Sequence, residues 1–157
     1  MTVMIQGDQI RAIAGGIKVE KGSGAVANAT TNLFTVTGLV VVEAIIGYVT
    51  VDLTAAATSI HLNHDPTIGS AANLCAATVV TSDPIGTIYG YLGDNIATLL
   101  VSSGTTAPGT AYAPLTPHRN VLTPGVVGMV GTAANPGEIL WRLVYWPLSD
   151  GASVEAV

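Results

Sequence analysis

Apolar positions fall in short runs of Val, Ile, Leu and Tyr interleaved with Thr and other polar residues, and Gly, Pro, Asn and Asp punctuate them. Successive side chains of a strand point to opposite faces, so this rhythm is that of half-buried strands. It predicts strands over residues 10–14, 17–21, 33–37, 40–46, 47–53, 59–63, 86–91, 98–101, 126–131 and 139–146. Helix has little room, because 18 Gly and 8 Pro are scattered along the chain and few windows of a dozen residues lack a breaker. The expected fold class is all-β, an antiparallel β-sandwich or barrel, with a jelly-roll-like arrangement as one form. Asp65-Pro66-Thr67, Ser82-Asp83-Pro84, Gly93-Asp94-Asn95 and Asn135-Pro136-Gly137 read as turns, since Asp and Asn bond their own backbone and Pro fixes φ. Residues 102–119 hold three prolines and read as a long exposed loop, and residues 1–16 as an N-terminal arm or a first strand.

The run over 139–146 says most about surroundings. Alternation places Trp141, Leu143 and Tyr145 on one face and Leu140, Arg142, Val144 and Trp146 on the other. Both faces are mostly apolar, whereas a two-layer sandwich leaves one face of each sheet wet. Either this strand is covered on both sides within the chain, or one face meets another subunit.

Composition adds weight to the second alternative. The 157 residues suffice for one β domain, 1–157, and 49% of them are hydrophobic against 10% charged. A folded chain of 15.9 kDa exposes about 7,400 Å², which fifteen charged side chains cover thinly. Much of the surface is therefore weakly polar or buried against other chains, and an oligomer is expected. The net charge of −5 offers no basic footprint, which disfavours nucleic acid as a partner. Cys75, the single cysteine, reads as a small buried apolar side chain.

The apolar window 33–51 is long enough to span a membrane, but it carries Glu43 at its centre, two glycines and dense β-branching. It reads as buried strands, and no membrane partner is expected. The first residues show no basic leader followed by an apolar stretch, so synthesis in the cytosol is expected, where the sequon Asn28-Ala29-Thr30 is not an acceptor.

Candidate chemistry is sparse. Gly22-Ser23-Gly24-Ala25-Val26-Ala27 has the spacing of a dinucleotide fingerprint, but a strand-like run follows where a helix N-terminus must stand, so a flexible glycine loop and no cofactor are expected. His61, His64 and Asp65 gather ligand types for zinc or iron, yet in a strand the two imidazoles point to opposite faces, and no metal is expected. His118 is isolated beside Arg119. The carboxylates are dispersed, mostly at turns, and no nucleophile motif occurs, so an enzyme is not expected.

The order of features resembles a known group. Leu33-Phe34-Thr35-Val36-Thr37-Gly38, the stretch through Gly47-Tyr48-Val49-Thr50, and Ser59-Ile60-His61-Leu62 leading to Asp65-Pro66-Thr67 are similar to small structural proteins encoded beside capsid genes of tailed bacteriophages. Pro124-Gly125 and the ending Trp141-Arg142-Leu143-Val144-Tyr145-Trp146-Pro147-Leu148-Ser149-Asp150-Gly151-Ala152 resemble the Pro-Gly and Trp-x-Leu-x-Tyr-x-Pro-Leu-x-x-Gly-Ala pattern of that group. Trp146 stands where the group has a smaller residue, and the two-histidine segment is not part of its pattern. The resemblance implies a capsid decoration, or cement, protein: often a trimer, bound to the major capsid protein on the outside of the virion and made in the host cytoplasm. The residues expected at its subunit or capsid interface are Trp141, Tyr145, Trp146, Pro147, Leu148, Tyr112, Ile5 and Ile10. The alternative is a host-surface or glycan-binding module on the head or tail that presents Tyr112, His118 and Arg119.

Overall fold

The computed structural model describes residues 15–102 and 119–157. Among them every element is a strand: β1 (Ile17–Val26), β2 (Thr30–Thr37), β3 (Val40–Val51), β4 (Ser59–Pro66), β5 (Ala72–Asn73), β6 (Thr78–Val79), β7 (Ile88–Gly90), β8 (Leu100–Ser102), β9 (Val121–Leu122), β10 (Gly125–Gly131), β11 (Asn135–Pro147) and β12 (Ser153–Ala156). Two antiparallel sheets pack face to face as a sandwich. The first runs β1-β11-β3-β7-β8 with β9 also on β3, and the second β12-β2-β10-β4-β5 with β6 also on β4. β1 to β4 alternate between the sheets in chain order and β10, β11 and β12 alternate again, but β4 and β10 both lie in the second sheet. The pairs β1–β11, β11–β3, β2–β10 and β10–β4 thus join residues far apart in sequence.

The inward faces fill the space between the layers. Leu33, Phe34 and Val36 from β2, Ile60 and Leu62 from β4, and Val127 and Met129 from β10 meet Val42, Ile45 and Val49 from β3 and Ile139, Trp141, Leu143 and Tyr145 from β11. The Trp141 ring stacks on Tyr89 with centroids 6.4 Å apart and planes at 27°. Tyr89 is itself pinned, its hydroxyl donating to Asp83 Oδ2 at 2.6 Å.

Several expectations need correction. Residues 40–46 and 47–53 form one strand, not two: Gly47 lies inside β3 opposite Trp141, where the indole occupies the room a side chain would take. Asn135-Pro136-Gly137 opens β11 instead of turning, because Asn135 Oδ1 accepts the backbone N–H groups of Thr54 and Gly137 at 3.0 and 3.1 Å. Asp65 and Pro66 complete β4, with Pro66 opposite Gly125. Gly22 to Val26 is no free loop but the irregular end of β1, where the register on β11 shifts twice. Ser23 holds that bulge by accepting the Ile139 N–H at 3.0 Å and donating to the Gly24 carbonyl at 2.6 Å. The sequence pattern also missed β5, β6, β9 and β12, all of four residues or fewer. The strand expected over 10–14, and nearly all of the 1–16 arm and the 102–119 loop, lie outside the described residues.

Candidate functional site

The two sheets turn different surfaces outward. On the second, the outward positions are Thr35 and Thr37 on β2, paired with Glu155 and Ser153 of β12, and His61, Asn63 and Asp65 on β4, paired with Val130, Gly128 and Val126 of β10. This is a largely solvated face, polar apart from the half-buried Val126 and Val130 and the exposed Val79 of β6 opposite Ser59.

The outer face of the first sheet is built from rows running across β1, β11, β3 and β7. One row is Gly22, Leu140, Tyr48 and Ile88; the next is Glu20, Arg142, Ile46 and Gly90. Lys18, Val144 and Ala44 follow, and Trp146, Val41 and Val121 close the end. Ile46, Tyr48, Ile88, Leu140 and Arg142 line a groove of about 390 Å³. Tyr48 is 42% exposed and Val121 54%, while Leu140, Val144 and Trp146 are half-buried. Gly16 lies against Val144 and Trp146 at one end of this face, while toward the other end Tyr48 and its apolar neighbours meet water.

Arg142, Glu20 and Lys18 are paired on this face, while Glu138 of β11, two residues before Leu140, is exposed outside these pairs. Arg142 reaches Glu20 Oε1 through Nε at 2.7 Å and Nη2 at 2.5 Å, and Lys18 Nζ lies 3.4 Å from the same oxygen. The Arg142 hydrogen bond holds the Glu20 carboxyl below its usual range. At the β9 side Arg119 Nε sits 3.2 Å from Glu43 Oε2. Exposed pairs of this kind add little stability, but they leave few free charges among the apolar groups.

The expected interface residues divide. Trp141 and Tyr145, expected at an interface, are 0% and 3% exposed and belong to the chain's own core, because the inward face of β11 packs against the second sheet. They have no surface to offer a partner. Trp146 lies on the outer face, and Pro147 and Leu148 are exposed at the end of the sheet. Tyr112, Ile5 and Ile10, with His118 of the alternative reading, lie outside the described residues. Ile46, Tyr48 and Ile88 were not singled out from sequence. The only signal was the apolar outer side of residues 139–146, which does not reveal which strands lie alongside.

A second apolar surface occupies the end of the sandwich where β2, β4 and β11 finish. Leu39 and Leu148 are 40% and 55% exposed there, and Ile68 is 92% exposed beside Pro124. Leu148 N–H donates to the Leu39 carbonyl at 2.8 Å and Leu39 N–H to Ser149 Oγ at 3.0 Å, so the two loops are tied together.

The candidate chemical groups are placed separately. His61 faces outward, whereas His64 faces the core and its Nε2 lies 3.1 Å from the Thr123 carbonyl, which makes that nitrogen the donor. Burial pulls the His64 pKa down. No group of three metal-ligating side chains occurs among the described residues. Cys75 is buried, accepts the Leu62 N–H at 3.2 Å through Sγ, and burial pushes its thiol pKa up. Asp52 and Asp94 cap loop N–H groups of Ile85 and Ile96 at 2.6 and 3.0 Å. The window 33–51 resolves into β2 and β3, and no helix among the described residues is long and apolar enough to cross a membrane.

Comparison with family models, with curated proteins and with solved structures gave no match to this chain.

Proposed function

We propose that this chain is a virion structural protein that binds the outside of a phage capsid as an oligomer, a trimer by its resemblance, and stabilises the shell. The observation that carries this reading is the contrast between the sheets: one outer face largely solvated, the other carrying an apolar strip over β11, β3 and β7 beside the paired charges of Lys18, Glu20 and Arg142. A surface of this kind is a place of contact, and contact is the whole activity of a cement protein. Such a protein needs two surfaces, one for its copies and one for the shell. The apolar sandwich end at Leu39, Ile68 and Leu148 is the second. Its partner is the major capsid protein, and its place is the capsid surface after synthesis in the host cytoplasm.

Stabilisation follows from mass action. A protein that binds only the assembled shell shifts it away from disassembly by about 2.7 kcal/mol per site at a hundredfold excess over Kd. The test is to add the purified chain to undecorated capsids and heat them. The disruption temperature rises with occupancy if the reading holds. Saturation with no rise leaves display as the role, and absence of binding removes the capsid from the account.

A further inference from the structure

We propose that the groove between Tyr48, Ile88 and Leu140, with Glu138 beside it, is the contact for a segment of another protein that presents an apolar side chain next to a lysine or arginine. This deepens the reading above and rests on it for one point, that the other protein is the major capsid protein. The groove then serves the shell, and the sandwich end at Leu39, Ile68 and Leu148 serves the copies.

The apolar half of the fit is the groove. Leu140 of β11 pairs with Tyr48 of β3, which pairs with Ile88 of β7, and Ile46 and Arg142 complete a hollow of about 390 Å³. On the β1 side a wall is missing. Gly22 pairs with Leu140, and a Cβ at Gly22 or at Gly24 would meet nothing within 4 Å. The glycine run with the spacing of a dinucleotide fingerprint thus leaves low relief, across which an extended segment reaches both Leu140 and Glu138.

The charged half is Glu138. It is exposed on the outward side of β11, and no cation among the described residues binds it. Every described lysine and arginine is engaged elsewhere: Lys18 and Arg142 with Glu20, Arg119 with Glu43, and Lys21 with the Val157 carbonyl. Lys18 stands opposite Val144, six positions along β11 from Glu138. That is ~20 Å at ~3.4 Å per residue, well beyond the ~8 Å over which exposed charges act at physiological salt. The Glu138 carboxylate therefore sets the charge at this end of the groove, and the net −5 of the chain adds the same sign at long range.

These signs select the occupant. A phosphate or an anionic lipid would meet a free carboxylate and an Arg142 already held by Glu20. A second copy brings the same net charge and, among its described residues, no free cation for Glu138. A segment both basic and apolar supplies the two missing halves, its aliphatic group against Tyr48 and Leu140 and its ammonium or guanidinium at Glu138. Charge complementarity of this kind speeds encounter and fixes register, while the aromatic side chain carries most of the affinity.

The test uses the full-length chain and two synthetic probes, acetyl-Lys-Leu-Lys-amide and acetyl-Glu-Leu-Glu-amide, titrated to millimolar concentration and followed by backbone amide NMR shifts. The basic probe should move the signals of Tyr48, Ile88, Glu138 and Leu140, and the acidic probe should not. Tyr48→Ala should weaken the basic probe about tenfold and Glu138→Lys about fivefold. Glu155→Lys, the same charge change on the opposite outer face, should stay within about twofold. Tyr48 and Glu138 are both exposed, so the two variants keep the wild-type circular dichroism. No shift at these positions with the basic probe, or equal shifts with the acidic one, overturns the proposal. A light-scattering mass of several chains that Tyr48→Ala reduces to one also overturns it and makes a second copy the occupant. Undecorated capsids separate this proposal from the virion reading. Equal capsid affinity for wild type, Glu138→Lys and Tyr48→Ala overturns the proposal and leaves the virion role standing, whereas a chain that takes the basic probe in this groove yet never binds a capsid refutes the virion role alone.

Discussion

Gly47→Ala should destabilise the protein although it adds one methyl to the middle of a strand. Gly47 pairs with Trp141 across β3 and β11. A Cβ at Gly47 would stand 2.9 and 3.0 Å from Cζ3 and Cη2 of the indole and 3.0 Å from Ile139 Cγ2. Comfortable carbon contacts lie at about 3.5–4.0 Å, so three contacts are each too close by roughly 0.5–1 Å. The ring has nowhere to retreat, being fully buried and stacked on Tyr89, whose hydroxyl is held by Asp83. Overpacking of this kind costs about 1–3 kcal/mol. The reduced freedom of the unfolded chain returns about 0.4–1 kcal/mol. The net loss is about 1–2 kcal/mol, a fall in Tm of roughly 2–8 °C for a chain of this length. Urea and thermal unfolding followed by tryptophan fluorescence measure it. Gly22→Ala, where a new Cβ meets nothing within 4 Å, is the control and should stay within about 0.5 kcal/mol. Trp141→Phe in the Gly47→Ala background removes both clashing ring atoms, so the two substitutions should couple favourably in a double-mutant cycle. An unchanged or raised Tm for Gly47→Ala, or simple additivity in the cycle, would refute the claim that the indole fixes glycine at this position.

Other outcomes follow from the buried polar contacts. Asp83→Ala leaves the buried Tyr89 hydroxyl without its acceptor and should cost about 1–3 kcal/mol, read as a lowered urea midpoint. Asn135→Ala removes the acceptor for the Thr54 and Gly137 N–H groups and should cost at least about 2 kcal/mol by the same measurement. The His64 pKa is lowered from its ordinary 6.5 by burial, so the folded chain takes up this proton less readily than the unfolded one. Its contribution is complete above that value and is lost as pH falls from 6.5 toward the folded-state pKa. His64→Gln should flatten the stability profile across that interval, and an unaltered profile would remove His64 as its source.

The local pattern was enough for the class of fold. Period-two alternation, β-branched runs and scattered Gly and Pro exclude helices and leave strands, because these are properties of a residue and its near neighbours. Alternation over 139–146 also separated the Trp141 face from the Leu140 face correctly. What a few residues could not carry was partnership. Gly47 looked like a break between strands because its reason for being glycine, the Trp141 ring, lies more than ninety residues away in the chain. Asn135 and Gly137 looked like a turn because the Thr54 N–H that engages Asn135 comes from another loop.

The same division runs through the candidate site. Sequence alone determined that this protein is β-rich, thinly charged and apolar on both sides of its last long strand. Only the tertiary structure decided which of those sides is spent inside the chain. Packing of the second sheet against Trp141 and Tyr145 consumed one face, while β3 and β7, aligned beside β11 by backbone hydrogen bonds, extended the other into an apolar strip that the charges of β1 border. Burial is a property of two layers brought together, and no single strand contains it.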